Sequence, residues 1–503
     1  MHMNNIKRTT YNLNETLMEK SAEQNIDMVI SLPDYCADIG NILQSFAFIN
    51  VSSGSITGGK IKTEGTVLVR VLYLNEGEIF SFEQSEPFTK EMDYTADELG
   101  TVLDLSTFLQ YLNSRAASPR KIEIHGAFVI KAKVSACRSS SVIDDVDRED
   151  IQIHKDTLSA CSASGNATAN ISVNQVIDIG TDKPPVRSII RNSTAAQVIE
   201  TKQVSGKVLV KGELKVKTLY KSEENTVEYI ENVLPLSQIL DIEGMDENST
   251  LDIRLKLASL DITVKPSALG NMSLLDISAG AVLSACAYNC IDFPVLMDAY
   301  STEYECQCSF KDVSVDRIMT NISKNYIHQF SIENVSEPAR VIDVWCDEVS
   351  AKADIKNEQP VFSGTVKCYL LYEDMEGKLN LKSANSEFSF NEDIGAVSHM
   401  KCEPNAVIVG TDYLINENRV DVRVDLHISA VILASENAKV VDDINLSETP
   451  LQKSTSFFVY YAHKGENVWS IARKYHTTTK NILEQNALEG DEITGDVPLL
   501  IWG

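Results

Sequence analysis

Apolar and polar residues alternate along most of this chain, and the alternation is written the same way three times. The block GTVLVRVLY at 65–73 returns as GELKVKTLY at 212–220 and as GTVKCYLLY at 364–372. Each opens on glycine, closes on tyrosine and sets apolar residues at alternate positions between them, which is the period of a half-buried strand. The copies start about 150 residues apart, so a whole plan recurs rather than a single motif. Upstream, ADIGNIL at 37–43 lines up with PPVRSII at 184–190, and PARVIDV at 338–344 is a third version displaced by two residues. NETL at 14–17 resembles KDTL at 155–158. Downstream, each copy ends in a long alternating run, at 121–137, at 274–286 and at 419–433.

Each unit therefore reads as mostly β, its strands rich in Val, Ile, Thr and Tyr. Turn signals at Glu76-Gly77, Gly165-Asn166 and Glu376-Gly377 separate them. Repeats of this size imply β-sandwiches or partly open barrels, and the pattern does not choose between the two. One stretch breaks the alternation. Over 97–113, Leu99, Leu103, Leu105, Phe108, Leu109 and Leu112 fit helical spacing, which predicts a helix there. The third unit is followed at 445–455 by a polar stretch containing Pro450, read as a flexible linker.

The last stretch has a different rhythm. Phe458 to Tyr461 is a short strand-like run, and His463 to Asn467 a turn in which Gly465 is free to take positive φ. Val468, Ile471, Ala472 and Tyr475 recur at helical spacing; a second helix fits 479–486, and Leu499 to Ile501 close with a strand. The order is βααβ. The expected division is 8–148, 149–308 and 309–444 for the three repeats, 445–455 for the linker and 456–503 for the end module.

Composition narrows the function. The 503 residues carry a net charge of −27, a surface that repels phosphate backbones, and no basic cluster interrupts it, so no nucleic acid is expected as a partner. Apolar runs are only a few residues long, so no transmembrane segment is expected. The first twenty residues have no apolar stretch of the signal-peptide kind, which places the chain in the cytoplasm as an expectation. In that compartment the ten cysteines read as reduced thiols.

Candidate chemistry is sparse. Cys286, Cys290, Cys306 and Cys308 are close in sequence, but neither pair has the two-residue spacing of a zinc knuckle, and a packing role is the stronger reading. His125 and His427 fall in alternating strands without a nucleophile motif beside them. Phosphate-loop, dinucleotide and serine-elbow signatures do not occur. The expectation is a non-enzymatic protein with no cofactor and no metal.

The end module resembles LysM, carried by Val459, Gly465, Ile471-Ala472, Tyr475, Leu483, Asn486, Ile493, Gly495 and Leu499. The repeated blocks, together with DAYST at 298–302 after the second long run, resemble the SPOCS domain. Three such units with a terminal LysM resemble the SipL family of clostridial spore-coat morphogenetic proteins. That resemblance implies a scaffold at the forespore surface in the mother-cell cytoplasm. Its LysM would dock on the coat-basement ATPase, stage IV sporulation protein A, with other coat proteins as further partners. It also implies an alternative, since LysM modules bind N-acetylglucosamine polymers such as peptidoglycan through two loops, here 463–469 and 486–494. This chain has Gly465-Glu466-Asn467-Val468 where Gly-Asp-Thr-Leu is common, which changes the hydrogen-bonding reach of the first loop. The partner-binding residues so implied are Lys464, Gly465, Glu466, Asn467, Trp469 and Asn486. Trp469 reads equally as an interface anchor or as packing.

Overall fold

Alternation becomes strand almost everywhere in the computed structural model, which describes residues 6–95, 101–180, 182–335, 338–395, 399–452 and 457–502. The first repeat runs β1 (Ile6–Ser31), β2 (Asn41–Thr57), β3 (Lys60–Asn75), β4 (Glu78–Asp93), β5 (Thr101–Ser118) and β6 (Lys121–Val146). The second runs β7 (Ile151–Asp178), β8 (Val186–Val204), β9 (Lys207–Ser222), β10 (Val227–Asp241), β11 (Thr250–Pro266) and β12 (Met272–Ser301). The third runs β13 (Tyr304–Ile332), β14 (Pro338–Lys356), β15 (Gln359–Asp374), β16 (Leu379–Asn391), the short β17 (Met400–Lys401), β18 (Asn405–Asn416) and β19 (Arg419–Pro450). The end module is β20 (Phe457–Ala462), α1 (Val468–Lys474), α2 (Thr479–Asn486) and β21 (Val497–Trp502).

Every repeat is two antiparallel sheets. In the first, β2-β3-β4 faces β1-β6-β5; in the second, β8-β9-β10 faces β7-β12-β11; in the third, β14-β15-β16 faces a sheet centred on β19. The glycine-to-tyrosine blocks are the central strands β3, β9 and β15, and the long alternating runs are the central strands β6, β12 and β19. Both sheets of a repeat close over one core. Ile122, Ile124, Phe128 and Ile130 of β6, for example, share a core with Val67, Val69 and Val71 of β3. That resolves the open choice in favour of the sandwich.

The repeated glycine and tyrosine have physical reasons. A Cβ on Gly212 would lie 2.8 Å from the Gln197 carbonyl oxygen, and one on Gly364 would collide with the Ser350 carbonyl on the neighbouring strand. The block begins where two backbones approach too closely for a side chain. At its other end Tyr73 donates to the Ala37 carbonyl at 3.1 Å, and Tyr220 to the Pro184 carbonyl at 3.0 Å. Each hydroxyl ties its central strand to the segment that leads into the sheet.

The three repeats meet at two junctions built from corresponding residues. Val142, Val295 and Val440 sit at the same remove beyond the core alternation of β6, β12 and β19, and all three lie in one shared cluster. Ile143, Leu296 and Val441 form a second cluster together with Val146, Ala299 and Ile444. At the opposite junction Leu72, Leu219 and Leu371, again corresponding positions, pack with Phe46, Trp345 and Tyr369. Polar contacts reinforce this second junction. Arg191, only 2% exposed, stacks 4.2 Å over Trp345 and faces Asp347 at 3.3 Å, and Lys217 pairs with Asp343 at 2.6 Å. Lys221 reaches Glu78 of the first repeat at 2.6 Å. The middle repeat thus supplies cations to both neighbours.

Several sequence-based expectations change. The helix expected over 97–113 is strand β5 from Thr101 onward, with Leu99 outside the described residues. Leu103, Leu105 and Leu109 face inward at period two, and a bulge between Leu109 and Tyr111 brings Leu112 inward as well. A strand with one bulge reproduces helical spacing over such a short stretch. Residues 445–450, read as linker, continue β19 and pair with β13; Asn445 lies opposite Gln307. Residues 453–455 of that stretch lie outside the described residues. The cysteines are not all reduced, because Cys161 and Cys290 form a disulfide. They lie directly opposite each other in the β7–β12 register, where side chains on paired positions project together. In the same register Cys137 corresponds to Cys290 rather than Cys286, and its neighbour is Asn14. Asn14 thus matches Cys161, and the likeness of 14–17 to 155–158 is out of step.

Candidate functional site

The end module is organised by caps and short loops. Gly465 takes φ 91°, the turn value expected of it. Glu466 folds back so that its carboxylate accepts from the His463 amide at 2.9 Å and the Tyr460 hydroxyl at 2.8 Å. The His463 amide first, and the Tyr460 hydroxyl second, hold this carboxyl below its ordinary range. Asn467 is the N-cap of α1, its side-chain oxygen accepting from the Trp469 amide at 2.8 Å. Backbone bonds Gly465 N to Ile493 O, Ile493 N to Glu466 O and Val468 N to Asp491 O join the two loops into one lip. Asn486 ties α2 to β21. It donates to the Ile482 and Leu500 carbonyls and accepts from the Leu500 amide at 2.6 Å.

Lys464, Gly465, Glu466 and Asn467 are therefore together on one lip, with Lys464, Gly465 and Asn467 exposed. Asn486 is placed as an internal staple. Trp469 is placed elsewhere. Its indole donates to Asp298 Oδ2 at 2.9 Å, and its ring lies 4.9 Å from Tyr300 edge-on and 5.3 Å from His154. Arg473, one turn further along α1, donates to the same carboxylate oxygen at 2.7 Å. Tyr300 donates to the Thr477 carbonyl at 2.8 Å in a buried bond, and His476 donates through Nδ1 to the Ser301 carbonyl at 3.1 Å.

The module is thus seated on the end of β12. Tyr300 belongs to the module's own core, packed with Val468, Ile471, Ala472, Ile482, Leu499 and Ile501. Only the middle repeat can hold it this way. The places corresponding to Asp298 and Tyr300 are Asp145 and Asp147 in the first repeat, and Asp443 and Asn445 in the third, so an acid recurs but the tyrosine does not. The freedom expected of the linker is replaced by a defined seat. The sequence carried one signal for it: the tyrosine of DAYST stands where the other repeats have aspartate and asparagine.

Other candidate groups do not converge. Cys290 is in the disulfide, and Cys286 lies about 40 Å along the strand from Ala299, against which Cys306 and Cys308 pack. Burial pushes the Cys286 thiol up. His125 sits beside Asp27 at 2.9 Å on an exposed face. His427 is held by Asn325 at 2.7 Å and Ser323 at 3.2 Å, and burial lowers its pKa. It lines a cleft of about 510 Å³ between the second and third repeats, beside Gln197, Leu251 and Asn321. Among the described residues no helix is long and apolar enough to cross a membrane.

Sandwich repeats closed around two shared junctions, ending in a seated βααβ module, define a β-repeat protein with a terminal LysM-type module. The model of the SipL SPOCS domain matches residues 38–115 and 185–265, and that of the LysM domain matches 460–494. No curated protein and no solved structure matches the chain. The chain carries SipL SPOCS domain repeats followed by a C-terminal LysM domain. Both matched domain types are non-catalytic.

Proposed function

We propose that this protein is a non-enzymatic scaffold for spore-coat assembly, working in the mother-cell cytoplasm at the forespore surface. Its LysM module docks on the coat-basement ATPase, stage IV sporulation protein A, through Lys464, Gly465, Glu466, Asn467 and Trp469, with Asn486 holding the lip in shape. The repeats contact other coat proteins. The observation that carries this reading is the pairing of SPOCS repeats with a LysM module seated on them. A module fixed to a large body transmits position, and several weak contacts on one body raise the effective concentration of partners at a surface. The acidic charge favours a basic protein surface over phosphate backbones.

A second reading has one observation behind it. The two loops that bind N-acetylglucosamine polymers in LysM modules are joined here into a continuous, exposed lip. The test is a paired binding assay. Because Tyr300 completes the module's core, it uses the full chain rather than the isolated module. One arm presents purified stage IV sporulation protein A, the other insoluble peptidoglycan and soluble chitin oligomers. Binding to the ATPase without glycan binding is the expected result. Glycan binding alone overturns the adaptor reading and makes the protein wall-directed.

A further inference from the structure

The two-stranded ribbon of the end module has one face against the helices and one face that is open among the described residues. Strand pairing sets Phe457 opposite Trp502, Val459 opposite Leu500, and Tyr461 opposite Pro498. These six residues share the outward face, because their neighbours Ala462, Leu499 and Ile501 are buried in the module core. The outward side chains are unusually open: Phe457 is 60% exposed, Tyr461 71% and Trp502 52%. Aromatic side chains cover about 150–250 Å² each, so with Val459 the stripe exposes on the order of 500 Å². That is the size of the largest apolar patch on a typical monomer, about 300–600 Å², and such patches are often functional.

We propose that this outward face is a docking surface for an apolar segment flanked by basic residues, contributed by a partner protein. Two observations choose that occupant. Face-to-face pairing of two copies would bury about 1,000 Å² in total, the floor for a specific interface, and would bring together two chains of charge −27. A segment that also reaches the rim gains more. At the Tyr461–Pro498 end of the stripe that rim carries Asp496, 78% exposed at its side chain and 3.5 Å from His463, and the loop before it adds the exposed Glu489, Asp491 and Glu492 nearer the start of α1. Apolar strand-like side chains fill the stripe while Lys or Arg meets these carboxylates. The α1 side of the module is already seated on Asp298 and Tyr300, so the stripe is the large apolar face the seated module leaves open.

This surface rests on the adaptor reading as its biological setting, and the experiment separates the two. Full-length wild type and the Phe457→Ser/Tyr461→Ser/Trp502→Ser variant are titrated with stage IV sporulation protein A, and with extended peptides alternating Leu with Lys or Leu with Glu. The expected result is binding of the ATPase and of the Leu–Lys peptide, each weakened about 30-fold or more in the variant, as for hot-spot aromatics. The Leu–Glu peptide should not bind. Single Tyr461→Ser, at the most exposed position of the stripe, serves as the control for folding, checked by an unchanged melting curve. Stripe-dependent peptide binding without ATPase binding keeps the surface and removes the adaptor reading. ATPase binding of equal strength in the variant, no binding of either probe, or equal binding of both peptides overturns the surface. So does concentration-dependent dimerisation abolished by the same variant, which would make the occupant a second copy.

Discussion

Replacing Asp298 by alanine should unseat the LysM module without unfolding the repeats. The carboxylate receives two donors from the module, the Trp469 indole at 2.9 Å and Arg473 at 2.7 Å. A neutral hydrogen bond contributes about 0.5–1.5 kcal/mol net and one to a charged group about 1.5–3 kcal/mol. The Arg473 side chain is 47% exposed, so its share belongs near the lower end once solvent screening is counted. The loss is then about 2 kcal/mol, or about 30-fold in the equilibrium between seated and released module, at 1.4 kcal/mol per tenfold. Hydrogen exchange followed by mass spectrometry reads this directly. Peptides covering α1 and α2 should exchange about 30-fold faster when opening and closing are fast relative to exchange, while those from β6, β12 and β19 stay protected. Tyr300→Phe, which leaves the Thr477 carbonyl unpaired, should move the same peptides by a similar factor. Unchanged exchange in α1 for both variants would show that the seat contributes nothing. Binding adds a second sign. If Trp469 belongs to the partner footprint, Asp298→Ala strengthens partner binding by freeing the indole; equal affinity removes Trp469 from that footprint.

Three further outcomes follow from the body of the protein. Gly364→Ala puts a Cβ into the Ser350 carbonyl and the Phe388 ring, and should cost about 1–3 kcal/mol by overpacking, measured by urea denaturation. Arg191→Ala leaves Asp347 facing a buried gap and should cost about 3–5 kcal/mol, whereas Arg191→Met, which fills the volume, should cost clearly less. Equal losses for the two would mean that the charge is irrelevant at the junction. Glu466 is held below its ordinary carboxyl range in the folded module. Its contribution is therefore complete above the unfolded value of about 4.3 and is lost as pH falls through the lower folded value, so acid should loosen the 463–467 turn. Glu466→Gln should flatten that dependence in an amide-exchange titration.

What could be read from the sequence was what is local. Period-two alternation marked β3, β9 and β15, and helical spacing marked α1 and α2, because each signal lies within one element. The same locality misled over 101–113, where a bulge at Leu109/Tyr111 made a strand imitate a helix. Long-range pairings were not legible. The Cys161–Cys290 bond depends on the register of strands far apart in sequence, and the seat depends on Asp298 meeting Trp469 across the third repeat. One overlooked signal was present. Val142-Ile143, Val295-Leu296 and Val440-Val441 are adjacent apolar residues at corresponding places in the three long strands, and both members of each pair are buried. Two consecutive buried residues mean that both faces of a strand are covered, which is what the junction requires.

Those doublets make the body a trimer written in one chain. A true homotrimer would offer three identical corners and could not distinguish among them. Joining the copies lets each corner differ by itself, and here one corner carries a tyrosine where the others have aspartate and asparagine. The result is a three-cornered block with a single handle. Anything held by that handle meets the block in one orientation, and the other two corners point in directions fixed relative to it. An array of such blocks laid on a surface would share a common facing, and one residue, Tyr300, would set it.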